Sequence, residues 1–296
     1  MDPADCTLET CSIEDAYIQY QPTIAGNSVY LALFGALLVA QAVLAPTYRM
    51  WGFSGSMITG LVLEVLGYVA RILFHDDPFN FDYFLMNLIC LGLGPVFFCA
   101  ALYFLLGRIV VIYHGEDISR LRPRNYAVVF ISCDVVALVL QSIGGAMTST
   151  ADDADGRQMG LNIMIAGLAF QVAALTLFIA LAVEFAWRLR RRSERQFRTD
   201  NGEEKARYTE IRKHKWWKVF LAGLVVATIT VYTRSIFRVV ELNGGYESEL
   251  ANDEVTFMIL EGAMVSIACI CLTVLHPGRA LGVRQNKDSG PIMERA

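Results

Sequence analysis

The stretch SGSMITGLVLEVLGYVARILF, residues 54–74, carries only two charged side chains, Glu64 and Arg71, among its 21 residues. A helix needs roughly 20 apolar residues to cross about 30 Å of hydrocarbon, so this length is typical of a membrane span. Glu64, Gly67, Tyr68 and Arg71 follow the i, i+3, i+4, i+7 spacing and therefore share one helix face. Because a charged side chain at mid-bilayer costs roughly 2.5–3.5 kcal/mol, we expect this face to point toward other helices.

Six further apolar stretches of similar length occur along the chain. Hydrophobic residues make up 55% of its 296 residues and charged residues 18%, which is typical of a polytopic membrane protein rather than a soluble domain. We therefore predict an all-α membrane protein, a bundle of seven transmembrane helices that forms one domain over 27–279. The predicted spans lie at about 27–46, 54–74, 83–106, 126–147, 160–187, 216–236 and 255–275.

Basic residues are concentrated on one predicted side of the membrane. With an outer N-terminus, 21 of the 25 Lys and Arg residues fall in inner segments, while the outer segments are acidic. The positive-inside rule therefore predicts an extracellular tail over 1–26 and a cytoplasmic tail over 280–296. Cys6 and Cys11 lie in the outer tail and could pair in an oxidising compartment, but the sequence leaves this pairing open.

Polar and ionisable side chains recur inside the predicted spans, where such groups are rare. The deeper acids, Glu64 and Asp134, are costly to retain for packing alone, and we interpret them as functional. The groups nearer the outer surface, such as Arg71 and Arg238, are better explained as partners that fix helix packing. The full set of candidate substrate-binding residues is Glu64, Tyr68, Arg71, Asp134, Gln141, Gln171, Arg234, Arg238, Glu241 and Glu261.

Glycine and proline mark places where helices are expected to approach closely or bend. Gly67 lies on the charged face of the second span and would let another helix come near. In the third span, Gly94 and Pro95 predict a kink. Proline lacks an N–H, so one backbone carbonyl in the preceding turn is left free.

The sequence lacks the patterns of several known chemistries. It contains no G-x-x-x-x-G-K-[ST] phosphate loop, no H-E-x-x-H pair and no G-x-S-x-G nucleophile elbow. The four histidines, His75, His114, His214 and His276, fall at different predicted depths and cannot converge on one metal ion. We therefore predict no catalytic residue, metal site, cofactor or nucleic-acid partner, and an intramembrane lipid-modifying enzyme is the least favoured class.

An ordered set of short motifs runs through nearly the whole chain, over about residues 17–279. The motifs are Tyr20-x-Pro22, Asn27, Glu64-x-x-Gly67-Tyr68-x-x-Arg71, Pro95 with Ala100-Ala101-x-Tyr103 and Gly107-Arg108, Asp134 with Gln141 and Gly144-Gly145, Gly160, Gly167-Leu168-x-x-Gln171, Arg234-Ser-x-Phe237-Arg238-x-x-Glu241, Glu254 and His276-Pro277. Each motif is weak alone, but in this order they are quite specific. The chain resembles the fungal lipid-translocating exporter family, also called RTA-like proteins.

The resemblance implies a seven-span fungal protein of the plasma membrane. Members of the family are associated with moving or releasing sphingoid bases and with resistance to toxic amphiphiles, and some are linked to porphyrin uptake. The implied partners are a lipid or amphiphilic small molecule and the membrane lipids, while no protein partner is indicated. Two polar positions differ from the family pattern, with Gln41 in place of a histidine and Glu261 in place of an aspartate.

Two function classes fit these observations. The leading hypothesis is a translocator of single-chain amphiphilic lipids, in which Glu64, Asp134 and Glu261 receive an ammonium head group and the outer arginines gate the exit or bind phosphate heads. The alternative is a seven-span lipid receptor or sensor that signals through its cytoplasmic loops. Against the receptor, the sequence has no Asp-Arg-Tyr at the inner end of the third span and no Asn-Pro-x-x-Tyr in the seventh.

Overall fold

The computed structural model describes residues 20–113, 115, 117–151, 153–191, 215–244 and 253–280. Within these ranges, seven helical segments are long and apolar enough to cross a membrane. The predicted all-α, seven-span fold is therefore confirmed, and each predicted span lies inside one of these segments. The predictions for Cys6, Cys11 and the tail after Ala280 fall outside the described residues.

Six of the spans are single helices and the seventh is interrupted. The seventh, Glu254–Ala280, contains one short helix, a π-helical turn at Met258–Ala263 and then two further helices. The π-helical turn lies in the first third of this segment, and π-helical turns frequently occur at functional sites. The helices are α1 Ile24–Tyr48, α2 Trp51–Asp76, α3 Phe81–Ile112, α4 Pro123–Thr150, α5 Ala154–Arg191, α6 Lys215–Asn243, α7 Glu254–Phe257, α8 Met264–Val274 and α9 Pro277–Ala280.

Side chains at the helix ends explain several of these boundaries. The Asn80 side chain caps α3 by accepting from the backbone N–H groups of Asp82, at 3.0 Å, and Tyr83, at 3.3 Å. Asp253 caps α7 in the same way by accepting from the backbone N–H of Val255. A further hydrogen bond from Thr256 lowers the pKa of the Asp253 carboxyl below its usual value. These caps set the starting points of the third and seventh spans.

The helices form a ring in chain order, which closes where α1 contacts α8. Helix α3 packs against both α2 and α4 and also reaches across to α6, and it is the most buried of the seven spans. Helices α1 and α4 are the least buried and keep wide apolar faces exposed. Polar side chains from the surrounding helices therefore converge on α3.

Glycines allow two pairs of helices to approach at backbone distance. A Cβ atom added at Gly144 of α4 would lie 2.5 Å from the backbone nitrogen of Met164, on α5. A Cβ atom at Gly160 of α5 would lie 2.6 Å from the backbone nitrogen of Thr148. A Cβ atom at Gly67 of α2 would overlap the side chain of Leu91 and lie 3.3 Å from its backbone nitrogen, which confirms the expected close approach of another helix.

Candidate functional site

A buried ion pair joins α6 to the seventh span. The Nε atom of Arg234 lies 3.1 Å from each carboxylate oxygen of Glu261, and Nη2 also donates to Oε1. The two side chains are only 3% and 1% exposed. Arginine–carboxylate pairs that are joined by several hydrogen bonds are both strong and directional, so Glu261 is held in one orientation.

The same arginine also binds α3. Arg234 Nη2 donates to the backbone carbonyl of Leu91 at 2.6 Å. Leu91 precedes Pro95 by four residues, and the missing proline N–H leaves that carbonyl without its helical donor. The sequence predicted a freed carbonyl in this turn, and the structure shows that Arg234 satisfies it. One side chain therefore ties α3, α6 and the seventh span together.

The π-helical turn places Glu261 opposite Arg234. Its first carbonyl, that of Met258, accepts a hydrogen bond of 2.7 Å from the Tyr30 hydroxyl of α1. The next residue after the acid, Gly262, packs so tightly that an added Cβ would lie 2.6 Å from the Tyr30 ring and 2.9 Å from the Tyr68 hydroxyl. The widened turn and the glycine together let the seventh span pack against two tyrosines.

Glu64 of α2 lies beside this ion pair. Its side chain is 1% exposed and is close enough to Glu261 and Arg234 for their charges to interact. Among the described residues, Glu64 Oε1 has no hydrogen-bond partner. A Cβ atom at Gly94 would lie 2.5 Å from this oxygen, so the glycine of the Gly94-Pro95 pair leaves room for it. We call Glu64, Tyr68, Arg234 and Glu261 the glutamate cluster.

Aromatic rings cover one side of the glutamate cluster. The Tyr68 ring lies 5.3 Å from that of Tyr30 and 5.5 Å from that of Phe34, measured between centroids. The Tyr68 hydroxyl has no hydrogen-bond partner within the part of the chain that the structure describes. The cluster thus combines an available carboxylate oxygen and an available hydroxyl with an apolar wall.

Arg71 lies nearer the end of α2, away from the glutamate cluster. Its Nη2 atom donates to the Tyr20 hydroxyl at 2.5 Å, and its guanidinium carbon lies 3.7 Å from the Phe257 ring centroid. Burial is the main cause that raises the pKa of Tyr20, although Arg71 opposes it. Arg71 makes no ion pair with a carboxylate of the described residues. The structure therefore places Arg71 in an aromatic, cation–π environment.

The segment 20–23, which we call the strap, crosses the same end of the bundle. The backbone N–H and the hydroxyl of Thr23 donate to the two carboxylate oxygens of Glu254, at 2.6 and 2.8 Å. His75 Nδ1 donates to the Pro22 carbonyl at 2.7 Å. The strap therefore links the start of α1 to α2 and to the seventh span.

A second buried acid lies apart from the glutamate cluster, between α3 and α4. Asp134 is 2% exposed, and Tyr103 and Cys99 of α3 are near enough to interact with its carboxylate. Over the described ranges, neither carboxylate oxygen of Asp134 nor the Tyr103 hydroxyl has a hydrogen-bond partner of acceptable geometry. We call Asp134, Tyr103 and Cys99 the aspartate centre.

The remaining predicted residues are paired with each other. Arg238 Nη1 donates to Glu241 Oε2 at 2.8 Å within one turn of α6. Gln141 of α4 donates through Nε2 to Gln171 Oε1 of α5 at 3.1 Å. These contacts are sufficient for a packing role, as expected for the groups of α6.

The ten predicted residues therefore do not form one site. The structure brings four of them into the glutamate cluster. Arg238 also lies close enough to Glu64 for their charges to interact, although its bonded partner is Glu241. Asp134, Arg71 and the two glutamines lie outside the cluster.

Several groups that contact these residues were not predicted to do so from the sequence, among them the Tyr30 and Phe34 rings, the Leu91 carbonyl, Tyr20, Tyr103 and Phe257. The Leu91 carbonyl could have been found by counting back along the helix from Pro95. Tyr20 and Tyr103 belong to the motifs that carry the family resemblance, whereas no sequence pattern marked Phe257.

Comparisons with known proteins cover most of the chain. Residues 57–284 match the family described as RTA1 like protein. The sphingoid long-chain base transporter RSB1 of Saccharomyces cerevisiae is 32% identical over 279 residues, which cover 88% of this chain and 72% of the relative. Protein RTA1 of the same yeast is 27% identical over 245 residues, covering 82% of this chain and 72% of the relative. No solved structure matches this chain.

Proposed function

Because this chain belongs to the RTA1-like protein family, we propose that it moves single-chain amphiphilic lipids across or out of a fungal membrane. The leading substrate class is the sphingoid long-chain bases, since a relative named as their transporter is 32% identical. We place the protein in the plasma membrane with its N-terminus outside, and we assign it no bond-making or bond-breaking step. Transport is the activity named for the relative RSB1, which favours it over the receptor alternative.

The observation that carries the proposal is the buried Glu64 carboxylate. Arg234 is already bonded to Glu261 and Leu91, so it does not satisfy Glu64 Oε1. No other donor in the described ranges reaches that oxygen. A buried carboxylate oxygen without a donor costs free energy, and an ammonium head group would remove that cost.

We assign different roles to the other members of the glutamate cluster. The Arg234–Glu261 pair is internally satisfied and fixes the cluster's shape rather than contacting the head group. The Tyr68 hydroxyl is available as a second acceptor for an ammonium N–H. The Tyr30 and Phe34 rings provide the apolar surface along which an alkyl tail can lie.

At the end of the bundle marked by the strap, Arg71 supports an exit role. Its Nε atom has no partner among the residues described, although the side chain is fully buried. The predicted orientation puts this end on the outer side. A phosphate-bearing or hydroxylated head group leaving the bundle would meet this cation after passing Glu64.

The proposal is tested by lipid flux from liposomes that contain the purified protein. Glu64→Gln keeps the shape of the side chain but removes its charge. We expect transport of radiolabelled sphinganine to fall by about tenfold or more, because a charge-assisted hydrogen bond contributes roughly 1.5–3 kcal/mol. The measurement is the initial rate at which labelled lipid reaches an acceptor outside the vesicles.

A matched control is Glu184→Gln on α5. Glu184 pairs with Arg120 and Arg188 and is partly exposed, so its replacement leaves the glutamate cluster intact. Glu184→Gln is expected to transport at the parent rate. Parent-like flux in Glu64→Gln would show that Glu64 does not bind the head group, and an inactive parent protein would exclude transport itself.

A further inference from the structure

The aspartate centre holds a buried acid that pairs with no arginine of the described residues. Tyr103 lies near enough to interact with Asp134, but neither carboxylate oxygen has a hydrogen-bond partner of acceptable geometry across the described ranges. Three buried arginines could in principle compensate it, but each has another partner. Arg234 binds Glu261, Arg238 binds Glu241, and Arg71 binds Tyr20 and lies over Phe257.

Aromatic rings surround the same place. The Tyr103 ring centroid lies 4.7 Å from that of Phe178 on α5 and 5.4 Å from that of Phe130 on α4. Phe130 and Phe178 are themselves 5.4 Å apart in an edge-on arrangement. All three rings are buried, and Phe130 precedes Asp134 by one helical turn. A carboxylate, a phenol and a set of aromatic faces form the combination that recognises organic ammonium ions.

We propose that the aspartate centre is a separate binding station for the ammonium head group of a single-chain lipid. The proposal rests on the transport function given above and adds a second binding position to the route of the lipid through the bundle. On α3, the Leu91–Gly94 turn beside Glu64 and the Cys99–Tyr103 turn are separated by about 13 Å along the helix axis. In the predicted orientation the aspartate centre is nearer the inner leaflet, so it receives the lipid before Glu64 does.

The station selects by charge as well as by size. A primary ammonium group has three N–H donors, which match the two Asp134 oxygens and the Tyr103 hydroxyl. The same tail with an acetylated nitrogen has no charge, so it gains neither the ion pair nor the cation–π attraction of the rings. The aspartate centre therefore distinguishes a free base from its amide.

Two native thiols report on the two places separately. Cys99 interacts with Asp134, whereas Cys269 of α8 interacts with Glu64, and both are buried. Two full-length variants would each keep one of these thiols and carry alanine at the other six of the seven cysteines. After reconstitution in phosphatidylcholine vesicles, the rate of modification by methyl methanethiosulfonate is measured with and without lipid.

Sphinganine is expected to slow the labelling of Cys99 by about tenfold, whereas N-acetylsphinganine leaves the rate unchanged. Asp134→Asn should abolish the protection of Cys99 but preserve the protection of Cys269. Tyr103→Phe is a milder change that should weaken the protection of Cys99. The matched control is Tyr126→Phe, which should retain the protection of Cys99. Tyr126 is a buried tyrosine of α4 whose hydroxyl bonds to Ser119 outside the centre.

Equal protection by both lipids, or protection that survives Asp134→Asn, would overturn the station. A Cys99 thiol that is never labelled would also overturn it, because the centre would then have no route from water. The two proposals fail differently. If the parent transports sphinganine but Cys99 is not protected, transport stands and the station falls. If Cys99 is protected but no lipid crosses, the station stands and transport falls.

Discussion

Glu261→Gln is expected to destabilise the bundle by about 3–5 kcal/mol, because it leaves the buried Arg234 guanidinium without its bonded carboxylate partner. The effect should be large since Arg234 is only 3% exposed and cannot turn to solvent. It should also disturb α3, because the same guanidinium holds the Leu91 carbonyl. The measurement is the free energy of unfolding of the detergent-solubilised protein in a denaturing-detergent titration.

Two further variants isolate the cause of this loss. Glu184→Gln removes the acid of an exposed ion-pair network, and its free energy of unfolding should stay close to that of the parent, because exposed ion pairs contribute little to stability. Arg234→Met combined with Glu261→Leu removes both buried charges and should recover most of the stability. A residual cost of about 1–3 kcal/mol is expected from the Leu91 carbonyl. If Glu261→Gln unfolds like the parent, the ion pair does not support the fold.

Gly144→Ala is expected to cost about 1–3 kcal/mol, because its methyl group must enter a backbone contact between α4 and α5. The added carbon would lie 2.5 Å from Met164 N and 2.6 Å from the Gly160 carbonyl. Neither backbone atom can move without separating the two helices. The same detergent titration measures this effect.

The neighbouring glycine provides the matched control. At Gly145, the nearest atom to an added Cβ is the Met164 sulfur at 4.0 Å, which is an ordinary contact. Gly145→Ala should therefore be neutral or slightly stabilising, since alanine favours a helix over glycine by up to about 1 kcal/mol. Equal stability of the two variants would mean that α4 and α5 do not pack at backbone distance.

The features that depend on one helix could be predicted from the sequence. Span number follows from apolar length, and the shared burial of Glu64, Gly67, Tyr68 and Arg71 follows from their spacing. The freed carbonyl before Pro95 is a covalent consequence of proline. Each of these conclusions needs only the chain's local geometry.

The features that depend on how two helices face each other could not be predicted. Several acids of the sequence could pair with Arg234, and the rotation of the seventh span determines that Glu261 is the one that does. The π-helical turn changes that rotation, and its sequence MILEGA, Met258–Ala263, carries no local signal for it. For the same reason, the separation of Asp134 from Glu64 became apparent only from the packing of α3.

The π-helical turn has a mechanical consequence for the end of the bundle that the strap crosses. In an α-helix one residue corresponds to a rotation of about 100° and a rise of about 1.5 Å. If the turn at Met258–Ala263 became α-helical and lost its extra residue, the residues that precede it would rotate and shift along the helix axis by about these amounts. Phe257 precedes the turn and lies beneath Arg71, while Glu261 is anchored to Arg234. The positions of the Phe257 ring and of the Glu261 carboxylate are therefore coupled through this turn.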